Sequence, residues 1–262
     1  MELVWAVPLG VVVGLVLGGL GGGGAILAVP ALVYLLGVDP HEATSASLLV
    51  VALSGLAALQ SHARQGNVRV APGFAFGALG LVGNVAGVAA SRYVPSRVLL
   101  GLFAGLMLVM AAAMILRLRR PPSVVDDAET PLLIAGRPNW RAIGPLVGAA
   151  TVVGFLTGFL GVGGGFMIVP VLTVLLGYGM RAAVGTSLLI GAVNSAIALT
   201  TRFIGGVTLP WPLVLTFTAA AMAGSLIGAR VSRRVSPSRL SGAFAVLLVV
   251  VATYMAIRVA LG

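Results

Sequence analysis

Two stretches decide how this chain is read: GLGGGGAILAVPAL at residues 19–32 and FLGVGGGFMIVPVL at residues 159–172. Shifted by 140 positions, Gly21 falls on Gly161, Gly23 on Gly163, Gly24 on Gly164, Val29 on Val169 and Pro30 on Pro170. The register continues without a gap. Leu36-Gly37 meets Leu176-Gly177, and Ala43-Thr44-Ser45-Ala46-Ser47-Leu48 meets Ala183-Val184-Gly185-Thr186-Ser187-Leu188. Upstream, Gly14 pairs with Gly154 and Gly18 with Gly158. Farther downstream the offset drifts to 141–142, where Pro95-Ser96-Arg97 meets Pro237-Ser238-Arg239. Agreement of this length at one offset marks an internal duplication.

Each motif lies in apolar sequence. The chain is 59% hydrophobic and 8% charged, with a mean hydropathy of +1.13, where a soluble domain carries about 25% charged residues. Such a chain cannot clothe a water-facing surface, so the 262 residues are expected to form one all-α polytopic membrane domain. Apolar runs fall at 3–20, 25–37, 43–63, 70–91, 98–117, 142–160, 165–178, 183–202, 209–229 and 240–258. Most approach the roughly 20 residues that cross a bilayer. The runs at 25–37 and 165–178 are too short, and each follows a glycine cluster. The polar stretch from Arg117 to Arg141, with Asp126, Asp127, Glu129 and four prolines, divides an N-terminal repeat (1–118) and a C-terminal repeat (141–262) by a linker (119–140). The first apolar run carries Glu2 and no small-residue cleavage site, so it is expected to stay in place rather than act as a signal peptide.

Arginine placement orients the repeats. All sixteen basic residues are Arg, and the net charge is +10. They are scattered between apolar runs, as in membrane loops, rather than clustered as in a nucleic-acid site. If each half crosses an even number of times, the two faces hold nine and seven arginines, which is no bias. If each crosses an odd number of times the halves are inverted. One face then gathers Arg64, Arg69, Arg117, Arg119, Arg120, Arg137, Arg141, Arg181, Arg230, Arg233, Arg234 and Arg239, against Arg92, Arg97, Arg202 and Arg258 on the other. Cytoplasmic loops are enriched in Arg. The expectation is therefore two inverted repeats, with the linker in the cytoplasm, both termini outside and the acidic Asp39–Glu42 loop outside. Parity does not decide whether 3–20 and 25–37 are full spans or half-depth arms.

Glycine clusters inside a hydrophobic run break a helix, each Gly costing about 1 kcal/mol relative to Ala. Broken backbone at membrane depth persists only where protein or a cavity satisfies it. Discontinuous helices at matched positions of two halves mark the midplane site of many secondary transporters. A helix restarting at the break also presents bare N–H groups to an anion. Gly22, Gly23, Gly24, Gly163, Gly164 and Gly165 are therefore substrate-binding candidates, and a transport site there requires a polar cavity reaching both clusters. The ridge Gly10, Gly14, Gly18, Gly22 reads as close helix packing. Gly19-x-Gly21-x-x-Gly24 matches a dinucleotide fingerprint by chance, since no βαβ context surrounds it.

Polar residues inside the runs extend the candidate site. Thr44, Ser45 and Ser47 open the third run and Thr186 and Ser187 its copy, either as helix N-caps or as ligand donors. Asn194, matching Ser54, lies deep in its span, and Asn84 is similar without a polar copy at a fixed offset. Gln60 matches Thr200 near a span end. His62 and Arg202 occupy equivalent positions, either snorkelling to the interface or serving a gating or proton role. His41 reads as a loop residue. The six carboxylates, Glu2, Asp39, Glu42, Asp126, Asp127 and Glu129, all fall outside the runs. Without intramembrane carboxylates, hydroxyls, amides and helix N-termini suit a small anionic substrate. With no Cys and two His, no metal or cofactor is expected and enzyme chemistry finds few groups to use.

These residues resemble the sulfite exporter TauE/SafE family, also called the toluene-sulfonate uptake permease family. The paired motifs at Gly21–Leu32 and Gly161–Leu172 carry the resemblance, supported by the A-x-S/G-x-S-L openings, Gly66-Asn67-Val68, Gly206-Val207 and Pro95/Pro237. It covers roughly residues 8–258. It implies a bacterial inner-membrane permease for sulfite, organosulfonates or related sulfur anions, its substrate lined by the glycine-cluster backbones and by Ser45, Ser47, Thr186 and Ser187. Ala25 stands where the second copy has Gly165, a departure from symmetry. A cation-coupled carrier of another small solute and a non-transporting membrane scaffold are the alternative readings. Beyond substrate and lipid bilayer no partner is implied, and the sequence is compatible with a homo-oligomer.

Overall fold

The computed structural model describes residues 2–118, 133–134, 137–138, 140–161 and 165–261. Eleven helices are described: α1 (Glu2–Leu20), α2 (Gly23–Pro30), α3 (Pro40–Ala63), α4 (Val70–Leu79), α5 (Leu81–Ser91), α6 (Ser96–Leu118), α7 (Trp140–Leu160), α8 (Gly165–Pro170), α9 (Met180–Ile204), α10 (Trp211–Ser232) and α11 (Pro237–Leu261). The described part of the linker is a two-residue antiparallel pair, β1 (Leu133–Ile134) with β2 (Arg137–Pro138). Apart from that pair and the loops, the described residues are helical, and the protein is an all-α membrane protein.

Five helices are long and apolar enough to cross a bilayer: Pro40–Ala63, Arg97–Leu116, Met180–Ile204, Trp211–Ser232 and Pro237–Arg258. A sixth crossing is α4 plus α5, one apolar run bent by 45° at Gly80. The remaining apolar helices, Val4–Leu20, Gly24–Leu35, Leu146–Leu160 and Gly165–Val174, are shorter. α1 and α2 fold back on one another, with Gly24 against Leu17, and α8 is the matching short helix after α7. α3 and α9 are the innermost helices, 67% and 72% buried, while α6 and α11 are 39% buried and turn their apolar sides to lipid.

Proline shapes both short arms alike. Pro30 and Pro170 end α2 and α8, and each is followed by a π-helical turn, Ala31–Leu35 and Val171–Leu175. Proline lacks the N–H of the α-helical ladder and crowds the preceding turn, so the chain widens there. The widened bonds recur at the same offset: Leu36 N donates to Ala31 O, and Leu176 N to Val171 O. The six positive-φ glycines described also fall into three pairs 140 apart, Gly21/Gly161, Gly37/Gly177 and Gly66/Gly206.

Helix directions follow from matched contacts. α1 runs parallel to α10, with Gly10, Gly14 and Gly18 stepping along Phe217, Ala221 and Ser225. α7 runs parallel to α5, with Gly83 against Thr151 and Gly87 against Phe155. α3 and α9 run antiparallel. The start of α3 reaches Arg202 near the end of α9, while Asn67, just past the end of α3, meets Gly185 near the start of α9. The helix ends therefore sort onto two faces. On one, Arg92 lies against Gly205. On the other gather the 64–69, 176–179 and 233–236 connections, where Arg181 donates to Val235 O. α7 begins on this second face, which we call the linker face.

Three local expectations change. The first break is narrower than the cluster: Gly21 and Gly22 form the turn, and Gly23 and Gly24 already belong to α2. α3 begins earlier than its apolar run, because Asp39 caps it by accepting from His41 N at 2.8 Å and Pro40 supplies the first turn. Thr44, Ser45 and Ser47 therefore lie inside the helix, not at its cap. Thr186 and Ser187 likewise follow a cap at Gly179. His41 and Glu42 are helical too, Glu42 in the first turn where the helix dipole favours a carboxylate.

A Cβ on Gly14 would overlap the Ala221 backbone, and one on Gly154 the Gly80 backbone, whereas Gly105 has nothing within 4 Å. We therefore expect Gly14→Val and Gly154→Val each to destabilise by about 1–3 kcal/mol through overpacking, with Gly105→Val near neutral. Thermal melting in detergent reads the difference. Equal shifts at all three positions would rule out the glycine ridge as the determinant of packing.

Candidate functional site

At each break the chain turns through a glycine in the left-handed region, φ +70° at Gly21 and +66° at Gly161, where other L-residues cost roughly 1–2 kcal/mol. The freed backbone groups find partners across the sequence. Gly22 N donates to Ser187 Oγ at 3.4 Å, and Ser187 Oγ donates to Val184 O at 2.8 Å. Ser47 Oγ is bonded to Gly161 O and lies 3.0 Å from Thr44 O. Ser47 and Ser187 are equivalent at the 140 offset, as are Gly21 and Gly161. Each break is thus held by the other repeat's long central helix. Both serines are fully buried.

The two breaks meet. Gly22 and Gly165 touch through their backbones, and a Cβ on either would overlap the other. Gly24 packs against Leu17 and closes the first hairpin. The arms are closed on one another, so a solute between them requires their separation. Gly163 and Gly164 lie outside the described residues.

One residue pair is placed against expectation. His62 and Arg202 do not snorkel; they are 3% and 4% exposed and point inward. A His62 ring nitrogen, Nε2, lies 2.9 Å from Gly18 O, and Arg202 Nη2 donates to Gly158 O at 3.0 Å. Gly18 and Gly158 are themselves 140 apart, so the same interaction occurs twice. A basic group here satisfies a carbonyl in the last turn of α1 or α7 and complements the negative end of the helix dipole. Arg202 Nη1 also donates to Thr44 Oγ1 and Ser45 Oγ, both at 3.1 Å. All of these partners are neutral, and Arg202 Nε has none among the described residues.

The other candidates separate. Thr186 Oγ1 accepts from Arg69 N at 3.0 Å, tying the linker-face connection to α9 rather than facing the arms. Asn194 is fully buried, and neither side-chain atom has a described partner. Its backbone carbonyl accepts from Asn84 Nδ2 at 2.8 Å. Gln60 and Thr200 are exposed. Asn84 does have a polar counterpart: it faces Gly158 where Ser225 faces Gly18, an offset of 141. The one-residue drift concealed that match. Thr44 contacts Gly161 and binds Arg202, and Val184 occupies the same position against Gly21.

Residues 6–255 match the family model described as Sulfite exporter TauE/SafE. The chain belongs to that family. It is a multi-pass membrane transporter of the TauE/SafE class. Its relatives include a "Probable membrane transporter protein" of Xylella fastidiosa strain Temecula1, 33% identical over 97% of this chain and 95% of the relative. A second is "Probable membrane transporter protein YunE" of Bacillus subtilis, 27% identical over 96% of each chain. A third, from Haemophilus influenzae, bears the same general description and is 27% identical over 95% of this chain and 96% of its own. No solved structure matches the chain significantly.

Replacing Arg202 by Met removes three hydrogen bonds to a charged group, each worth about 1.5–3 kcal/mol in general, although the Thr44 and Ser45 hydroxyls still donate to His41 O. Arg202→Met is expected to lower the melting temperature more than His62→Met, which removes one described bond. Equal melting temperatures for the two variants would show that the Arg202 cage does not stabilise the fold.

Proposed function

We propose that the protein is a secondary transporter of small sulfur-containing anions such as sulfite or organosulfonates, working by alternating access about the crossed glycine breaks. The two repeats, 1–118 and 141–262, are inverted, joined by the 119–140 linker in the cytoplasm, with both termini outside a bacterial inner membrane. The antiparallel course of the equivalent helices α3 and α9 supports the inversion. The twelve-to-four arginine bias supports the sidedness.

The observation that carries the reading is the reciprocal clasp of Ser187 on Gly22 and Ser47 on Gly161 around the Gly22–Gly165 contact. Backbone is broken at membrane depth, in duplicate, and each break is held by the opposite repeat. Rocking one repeat against the other opens the contact to a solute while the long helices stay intact. The chemistry at hand favours an anion: backbone N–H groups, hydroxyls and the charged Arg202, with no carboxylate beside them among the described residues. The family description names sulfite, and the organosulfonates share its negatively charged sulfur–oxygen group.

The test is flux of labelled sulfite and several sulfonates in proteoliposomes. Wild type is expected to move at least one of them. Gly22→Val is expected to abolish flux, because its side chain would occupy the space of Gly165. Gly105→Val is expected to transport normally. Folded wild-type protein that moves no tested anion sinks the substrate reading, and undiminished flux through Gly22→Val sinks the site.

A further inference from the structure

A cleft opens on the linker face, away from the crossed breaks. It is open to solvent, with room for about one water molecule below its mouth. Gly19, Val184 and His62 line its inner part, and Arg181 and Arg233 line it from the ends of α9 and α10. Gln65, Asn67 and Ser232 add neutral hydrogen-bonding groups, and no described carboxylate lines it. Val184, which lines the cleft, also lies against Gly21, so the inner wall adjoins the first break.

Three features make this more than a solvated basic edge. His62 is buried, Nε2 is engaged with Gly18 O, and Nδ1 has no described partner. The donors converge from α3, α9, α10 and the α3–α4 connection onto one space. Finally, the opposite face carries the same set at the duplication offsets: Arg202 for His62, His41 for Arg181, and Arg92 for Arg233. Each end therefore has two arginines and one histidine. The ends differ in what fills them. Phe159 stands in place of Gly19, and the Arg92 guanidinium lies against Gly205, the counterpart of Gln65.

We propose that the linker-face cleft is an oxyanion-binding station through which the transported anion reaches the first glycine break. The inference rests on the anion-transport reading and names a second site for the same solute. Arg181 and Arg233 capture the anion at the mouth by charge-assisted hydrogen bonds, and His62 receives it at the floor. The matched set on the opposite face is the closed counterpart.

The test uses full-length protein in lipid nanodiscs, titrated with labelled sulfite and, as a second oxyanion, labelled sulfate. Wild type is expected to bind one or both saturably. Arg233→Gln and Arg181→Gln are each expected to weaken binding about tenfold, the scale of one lost charge-assisted contact. Arg234→Gln, adjacent but off the cleft, is expected to bind as wild type. Gly19→Phe, copying Phe159 into the cleft, is expected to weaken binding without touching a charge. Unchanged affinity in both arginine variants overturns the proposal, as does absence of saturable binding by wild type. Flux is scored separately. Flux with binding indifferent to the arginines sinks the station and spares transport; binding that needs the arginines without flux of any anion spares the station and sinks transport.

Discussion

Lipid cannot hydrogen-bond a broken helix. That constraint organises the molecule around Gly21 and Gly161, where two helices break inside the apolar part of the chain. Every N–H and C=O released there must find protein or water. The partners are a serine hydroxyl at each break and a basic side chain one turn earlier. These groups sit on α3 and α9, which explains why the two most buried helices carry so many polar residues. Thr44, Ser45, Ser47 and His62 on one, and Thr186, Ser187, Asn194 and Arg202 on the other, are all inside.

The clasp is crossed at the breaks and uncrossed one turn before. Ser187 holds the first break and Ser47 the second, while His62 and Arg202 each hold the end of the first helix in their own repeat. α3 is thereby bonded beside both breaks, and so is α9. A displacement of either central helix changes the support of both breaks together. In a transporter this links the two arms without contact between distant loops. The close glycine ridges of α1 on α10 and α7 on α4–α5 pack each first helix against the other half.

The architecture was legible because duplication repeats its own punctuation. Gly21/Gly161 and Pro30/Pro170 fix a turn and a widened helix by backbone chemistry alone, so sequence positions translate directly into geometry. The serines were legible as candidates, though for an incomplete reason. Their place at the start of an apolar run suggested capping, but Asp39 and Pro40 begin the helix earlier, leaving the hydroxyls free to serve the opposite break. For His62 and Arg202 the sequence left snorkelling and an inward role open, because position along a helix does not reveal which side faces a neighbour's carbonyl. The Asn84–Ser225 match was hidden by the shift from offset 140 to 141.

Arg202 shows why missing carboxylates matter as much as the groups present. Arg202 lies in the last turn of α9 yet is 4% exposed, and burying a charge costs free energy unless it is hydrogen-bonded. An aspartate beside it would offset much of that cost but would also neutralise it toward any passing anion. Here the guanidinium is held by two hydroxyls and a carbonyl. Hydrogen bonds of this kind fix its position and reduce its desolvation penalty while leaving the net charge in place. In low dielectric that charge acts strongly over several ångströms. The neutral cage therefore does two things that an ion pair could not do together: it keeps a cation folded inside the protein, and it leaves the charge of that cation in place.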